Sequence, residues 1–593
     1  MTNFYFLKNQ NDTSFICKIQ DKLERYTHEP SNSSLFIWGS IYNIPNSNIA
    51  KHVMDGFVEN GVDSFKYYDG EFLIIILEEK QTIVYRDRHG AGPQVFYNSS
   101  FFCSNPVYPI KDKKYSPAPN FEAINTFLSI GYIPAPLTSF ADITKLDGGV
   151  VLKYTQAATT KELFTWEEYL SKSESPIKIS AKDATQEYYR LHKEAVNSRV
   201  KGIDHAALLL SGGYDSGGNI AVLREVFDKN VSSYSIGFKN NRWTELPLAK
   251  ILSKTYNTNH HEYEIDGSEI KNLPKIVSHM ADPFQEGGLM VNYCVMELIG
   301  NNKPQIILGG DGNDQHFGTA GKELALKYMI KKMHLTSFQK LYNKISELPP
   351  FNADNILFKT KFHNRKILDI LKSDNFGFEQ AELKNLLKKE YFNPNRSYLE
   401  SIPKTYSNFD NLFTIHNYHC DIKQVINQVI LHKASKMANL FSNNLTFPYM
   451  SYDIYNFLAS LPRELKWCGN IKDIAKGIGS SKYLHKQSLK DKLPKEITDR
   501  KKQGGFAPLP IFLDDNLQFQ KISDYILSSS LSYQLLNREY VQKLLNEYSQ
   551  SKKRPTYWFW NQQVNAFKIM NLLTLAVWWD IYINQREPES IIF

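Results

Sequence analysis

Short apolar runs bounded by Asn, Asp and Gly turns dominate the first 170 residues. Ser34–Trp38, Glu71–Leu77 and Thr82–Tyr85 have the length and flanks of β-strands, which predicts a mostly β unit. From about Ala181 the pattern changes. Apolar segments at Ala206–Leu210, Ser233–Phe238, His261–Ile265 and Gln305–Leu308 alternate with helical segments. That alternation predicts a parallel sheet with ligands at the carboxyl ends of its strands. Beyond about Gly321 the chain reads as helical and Lys-rich, ending in an apolar helix around Met570–Trp579. The polar, Pro-ended stretch Ser171–Pro176 predicts the linker, giving domains at residues 1–170 and 181–593.

A chain of 593 residues exceeds one core, so composition agrees with two or more domains. No apolar run is long enough to cross a bilayer, and Met1-Thr2-Asn3-Phe4 lacks the pattern of a secretion signal. The five cysteines lie far apart without a C-x-x-C pair, which points to thiols in a reducing, cytoplasmic setting rather than to zinc. The net charge of +8 is modest for this size and the lysines are interleaved with acids, so neither a nucleic-acid nor a membrane partner is expected.

Chemistry concentrates in Ser211-Gly212-Gly213-Tyr214-Asp215-Ser216, which follows Ala206–Leu210 and precedes a helical pattern from Asn219 to Phe227. A strand, a glycine turn and a helix aim backbone N–H groups and a helix N-terminus at one point, and such a point binds an anion. Gly212 and Gly213 allow close approach, while Ser211 and Ser216 add hydroxyl donors. Asp215 would repel phosphate directly but suits a magnesium ion that phosphates share. No lysine follows the glycines, which excludes the G-x-x-x-x-G-K-[ST] type of nucleotide loop.

The segment Ile306–Asp314 repeats this logic, a buried strand ending in glycines with Asp311 and Asp314 in the turn. Two carboxylates from different loops, with phosphate oxygens and waters, suit octahedral magnesium. Glycine at 237 in the second strand would let an adenine ring approach. The cluster Asp499–Phe506 joins basic residues to glycines and is the best candidate for the cation that a phosphoryl transition state needs.

The hexapeptide resembles the pyrophosphate loop of ATP pyrophosphatases, and the three segments together resemble the asparagine synthetase family. Glu245, Asn259-His260-His261-Glu262, Asp282-Pro283-Phe284, Lys433–Ala438 through Phe447-Pro448, and Lys482 with Leu493-Pro494 match its synthetase half. Asp69-Gly70-Glu71-Phe72, Arg86–Gly90 and Gly131–Pro134 match its amino-terminal glutaminase half. The resemblance implies an α+β Ntn-hydrolase-like sandwich followed by an α/β parallel-sheet ATP-pyrophosphatase domain with a helical C-terminal extension. It also implies ATP and Mg2+ as cofactors. Ser211, Gly212, Gly213 and Ser216 would hold pyrophosphate, and Asp215 and Asp314 the metal. Leu209, Ile236 and Gly310 would line the adenosine pocket. Lys502 would balance charge during catalysis, and Asp311 would accept the amine's proton or orient ATP. Gly504-Gly505 stands where the family loop has one glycine, so a shifted register would make Lys501 the cation.

Two departures redirect the functional expectation. Thr2 replaces the cysteine nucleophile of the glutamine-using members. Trp38-Gly39-Ser40-Ile41-Tyr42-Asn43 replaces their Asn-Gly-Glu-Ile-Tyr-Asn motif, removing an oxyanion amide and a carboxylate. One lost oxyanion donor typically costs about 10²–10³ in rate, so this half is expected not to hydrolyse glutamine. Another amine must then serve. Asp311 stands where the branch that closes rings within small molecules places tyrosine, so the chain resembles most the lasso-peptide cyclases, which adenylate an Asp or Glu side chain and join it to the peptide's N-terminal amine. The expected partners are a peptide or small-molecule carboxylate, with a leader peptidase and a precursor-recognition protein. The alternative is an ammonia-dependent asparagine synthetase or another small-molecule amide synthetase.

Overall fold

The structure, a computed structural model, describes residues 3–9, 14–29, 32–45, 48–241, 243–300, 302–345, 377–499, 507–552 and 559–593. Two antiparallel sheets face each other in the N-terminal half. One runs Phe15–Gln20, Phe4–Lys8, Phe101–Cys103, Phe96–Tyr97, Thr144–Lys145 in spatial order. The other runs Ala158–Glu162, Val150–Tyr154, Thr82–Arg86, Gly70–Leu77, Ser33–Ile41, Glu24–His28. The central strand Gly70–Leu77 is apolar without alternation because both of its faces are covered. Leu73 and Ile75 meet Phe4, Phe6 and Phe102 between the sheets, whereas Phe72, Ile74 and Ile76 meet Val53 and Met54 of the helix Ile49–Asn60.

The second half is built on a parallel sheet of β1 (His205–Leu209), β2 (Asn230–Phe238), β3 (Asn259–Ile265), β4 (Ile306–Leu308) and β5 (Leu445–Thr446). Their spatial order is β3-β2-β1-β4-β5, and every neighbouring pair is parallel. Helices cover both faces, so Ala206, Leu208 and Leu308 enter one core and Ala207 and Ile307 another. Since β1 and β4 are adjacent, the loops that follow them open side by side. These are the sandwich, the parallel sheet and the helical extension that the sequence predicts.

Two local expectations need correction. Ser171–Glu174, read as linker, belongs to a helix, Trp166–Glu174. Its N-cap Thr165 accepts from the Glu168 N–H, its Tyr169 hydroxyl donates to Asn417 Oδ1 at 2.7 Å, and Trp166 lies against Tyr418. Capping and tertiary anchoring override the polar composition. The helix after the glycine turn begins at Tyr214, not Asn219, and runs through Gly217 and Gly218 as Tyr214–Val226. A Cβ at Gly218 would lie 2.5 Å from the Tyr449 hydroxyl, so close packing explains a glycine that helix propensity disfavours.

The final helix, Phe559–Tyr582, is apolar because it is a core element: Leu572, Leu573, Leu575, Ala576, Val577 and Trp578 are fully buried. Among the described residues no helix is long and apolar enough to cross a membrane. Trp578 packs on Phe140, and Asn571 donates to the Leu128 carbonyl at 3.3 Å, so this helix binds the two halves into one core.

A buried ion pair crosses the same interface. Lys145 Nζ is 2.8 Å from Asp282 Oδ2, and Ser139 donates its N–H and hydroxyl to the other carboxylate oxygen. Removing one member of such a pair strands the other charge. Lys145→Met is expected to destabilise the protein by about 3–5 kcal/mol in denaturant unfolding, and adding Asp282→Asn should recover part of that loss.

Candidate active site

The turn after β1 is drawn tight by its own hydroxyls. Ser211 N–H donates to Ser216 Oγ at 3.2 Å, the two serine hydroxyls lie 3.2 Å apart, and Gly213 N–H donates to Ser211 Oγ at 3.3 Å. Gly212 sits at φ +77°, where a side chain would be strained and a Cβ would strike Leu248 at 2.6 Å. Gly213 caps the helix in extended conformation, leaving the helix's first N–H groups without a side-chain cap. This turn can therefore present donors and a helix N-terminus to an anion.

The turn after β4 closes against it. Gly309 N–H donates to the Thr446 carbonyl at 2.8 Å, and its carbonyl accepts from Asn219 Nδ2 at 2.9 Å. Gly310 lies over the first turn, where a Cβ would come within 3.3 Å of the Ser216 nitrogen. Gly312, at φ +99°, is pressed against Met450. The glycines of this loop are thus fixed by contact on both sides.

One ammonium group joins the two loops. Lys482 Nζ lies 2.6 Å from Asp215 Oδ2 and 2.9 Å from Asp314 Oδ1. Burial works against its charge, but Asp215 and Asp314 prevail and hold it well above the usual lysine range. Asn313 Nδ2 donates to Asp215 Oδ1 at 2.6 Å and is itself oriented by the Tyr188 hydroxyl, which donates to Asn313 Oδ1 at 2.7 Å. The Tyr449 hydroxyl donates to the Asp215 carbonyl at 2.8 Å. Both carboxylates reach the same cation from different loops, so they are placed to share one. Among the described residues no group of three or more His, Cys, Asp or Glu side chains could hold a metal ion. Magnesium suits a site that gives one or two carboxylates and takes its other ligands from phosphates and water, and the pair Asp215 and Asp314 fits that requirement.

Asp311 occupies the same loop beside a second cation. Burial, opposed by Lys433 and reinforced by Asp215, Glu286 and Asp314, pushes its carboxyl up to about 6. Lys433 is ion-paired to Glu286, whose carboxylate also accepts from Gly288 N–H at 2.8 Å. Leu209 and Ile236 lie at the carboxyl ends of β1 and β2, both only partly buried. Gly237 is close-packed on Thr244 and Leu246, where a Cβ would come within 2.5 Å of each.

The structure thus brings together Leu209, Ser211, Gly212, Gly213, Asp215, Ser216, Ile236, Gly310, Asp311 and Asp314 at one end of one sheet. Lys501, Lys502 and Thr2 lie outside the described residues. Sequence reasoning assigned no role to Lys482, Asn313, Lys433 or Glu286. Lys482 was visible only as part of a matched segment, and its pairing with Asp215 spans 267 positions.

In the N-terminal half, Trp38 lines a cavity of about 40 Å³ together with Arg86, Gln94, His279 and Lys436. Lys436 is pushed down to about 7, by burial first and then by Arg86. Trp38 and Ser40 stand on the strand Ser33–Ile41 where the resemblance would place an amide and a carboxylate.

A family model described as asparagine synthase matches residues 187–580, and one described as glutamine amidotransferase domain matches residues 49–166. Asparagine synthetase (glutamine-hydrolyzing) 1 of Bacillus subtilis (strain 168) is 24% identical over 548 residues, covering 88% of this chain and 80% of its own. A protein of Methanocaldococcus jannaschii named "Putative asparagine synthetase (glutamine-hydrolyzing) 2" is 27% identical over 270 residues, 44% of this chain and 51% of its own. Among solved structures, that of the allosteric regulatory enzyme of purine biosynthesis aligns at a TM-score of 0.18 with 12% identity, covering 42% of this chain and 62% of its own, a likeness too slight to build on.

Lys482→Met would leave two carboxylates facing each other without their cation. We expect thermal unfolding at neutral pH to show a loss of about 3–5 kcal/mol. A variant as stable as wild type at neutral pH would mean that the ammonium does not hold the loops.

Proposed function

The chain belongs to the asparagine synthase family, and from that premise we propose that this ATP-dependent carbon–nitrogen ligase closes a macrolactam in a peptide, adenylating an acidic side chain and joining it to an amine of the same molecule. The observation that carries the ligation chemistry is the meeting of Asp215 and Asp314 on Lys482, which fuses the glycine turn and the acidic turn into one cleft. What supports an amine other than glutamine nitrogen is Trp38 and Ser40 in the N-terminal half.

The roles follow from placement. A substrate carboxylate attacks the α-phosphorus of ATP, and pyrophosphate departs toward Ser211, Gly212, Gly213 and Ser216. Asp215 and Asp314 would hold magnesium, which supplies charge neutralisation for the phosphates. The amine then attacks the acyl carbon, AMP leaves, and the nitrogen's proton goes to a base. Asp311 is placed for that proton or for orienting ATP, with the Lys433–Glu286 pair beside it. Lys502, or Lys501, would stabilise the pentacovalent transition state. Leu209, Ile236 and Gly310 would border adenosine.

A second reading is asparagine synthesis, which the name of the Bacillus subtilis relative favours; that relative is named glutamine-hydrolyzing, whereas this chain, with Trp38 and Ser40, would draw on free ammonia. Pyrophosphate release with magnesium–ATP separates the two, using Asp215→Ala as the blank. Release with an acidic core peptide, with a product lighter by one water, is the expected outcome. Release with aspartate and ammonia, with asparagine formed, would overturn the macrolactam reading. Glutamine should yield no glutamate in either mixture.

The pH profile tests Asp311. With its carboxyl pushed up to about 6 by burial, the ionised form would accumulate as the pH rises through that value. Turnover should therefore climb between about pH 5 and pH 7. Asp311→Asn should lower turnover and remove that limb. An unchanged limb in the variant would assign it to another group.

A further inference from the structure

Glu71 belongs to the N-terminal half, yet its carboxylate is spent on the other half. It is 6% exposed and accepts from the Thr446 hydroxyl at 2.9 Å and from the Phe447 N–H at 2.9 Å. The Thr446 hydroxyl in turn accepts from Arg199 Nε at 2.8 Å, so the proton direction along Arg199, Thr446 and Glu71 is fixed. Arg199 is stacked over the Tyr42 ring at 4.4 Å and contacts Asp69 at 3.4 Å, and Asp69 accepts from the Tyr452 N–H at 2.8 Å. Glu71, Arg199 and Thr446, the centre of this network, are buried.

Thr446 and Phe447 are also the residues that hold the start of the acidic loop. The Thr446 carbonyl takes the Gly309 N–H, and the Phe447 ring lies where a Cβ on Gly309 would come within 3.0 Å. Gly309 leads directly to Asp311 and Asp314. A glycine-rich loop has little conformational preference of its own and must be held from outside.

We infer that Glu71 is a positioning residue for the ligation: through Thr446 and Phe447 it fixes Gly309 and so the placement of Asp311 and Asp314. The inference rests on the ligase reading above. It makes the N-terminal half a working part of the active site although it lacks the groups for glutamine hydrolysis.

The test uses the full chain, with Glu71→Gln and Thr446→Val as near-isosteric variants. Lys145→Met serves as a control that cuts the same domain interface elsewhere. Two readouts are needed. In the first, amide hydrogen exchange over Gly309–Phe317 should rise in Glu71→Gln and in Thr446→Val beyond any rise in the rest of the parallel sheet, whereas in Lys145→Met it should rise only as far as the whole molecule does. In the second, kcat for pyrophosphate release should fall by about 10- to 100-fold in both clamp variants, the range that small misplacements of reacting groups produce. The affinity for ATP should change little, and the double variant should be no worse than the single ones. Unaltered exchange in Glu71→Gln, or equal loosening in the control, overturns the inference. Because exchange is read without turnover, failure of the ligase reading, seen as no pyrophosphate release by wild type on any substrate, is distinguishable from failure of this one.

Discussion

The candidate cleft depends on one buried cation, Lys482. Two loops rich in glycine and carboxylate must lie against each other at the ends of β1 and β4, and like charges at that range repel. Lys482 resolves the conflict by touching one carboxylate from each loop. Its backbone sits at φ +51°, a left-handed conformation that costs a non-glycine residue roughly 1–2 kcal/mol. Stranding a charge in a broken buried pair costs about 3–5 kcal/mol, so the pairing outweighs the strain. The same ammonium leaves the serine hydroxyls and helix N–H groups of the first loop free of any role in holding the acids apart. They can therefore serve an incoming anion.

Around that cation the remaining contacts act as walls. Tyr188 orients Asn313, Asn313 orients Asp215, and Tyr449 ties the Asp215 backbone. Tyr188 comes from the helix Ala181–Val200 and Lys433 from the helix Leu431–Leu440, elements on different sides of the sheet. A site assembled from so many separate elements gains geometric precision when each side chain is held by a neighbour rather than by its own loop. Burial then does chemical work. The raised carboxyl of Asp311 follows from taking it out of water next to other acids, with Lys433 only partly compensating.

Much of this was legible in the chain because it is local. An apolar run, a glycine turn and a following helix predict where a loop points, and Asp215, Asp311 and Asp314 were readable from their place in such turns. The contacts that make the loops one site were not. Lys433 and Glu286 are separated by 147 positions, and no periodicity links them. The helix start at Tyr214 was hidden by Gly217 and Gly218, the first packed on Leu493 and the second on Tyr449 and His485. The helix Trp166–Glu174 was hidden by a polar composition that Tyr418 and Asn417 overcome by anchoring its aromatic side chains.

The N-terminal half raises the question of why a domain that carries Trp38 and Ser40 on its strand Ser33–Ile41 should hold a tight fit to the rest. Its geometry separates two tasks. Trp38 lines one cavity and Glu71 another, and the segment between Arg86 and Gly92 forms the wall between them, with Ala91 bordering both. Part of that wall is held from within: the Asp87 carboxylate accepts the N–H groups of His89, Ala91 and Gly92, and Arg86 donates to the carbonyls of Gly90 and Gly92 as well as to that of Leu146. Hydrogen bonds made within the turn do not depend on what fills the cavity on either side. Substituting the residues around Trp38 therefore leaves the hold of Glu71 on Thr446 and Phe447 intact. The side of the wall that carries Glu71 is thus separate from the side that carries Trp38.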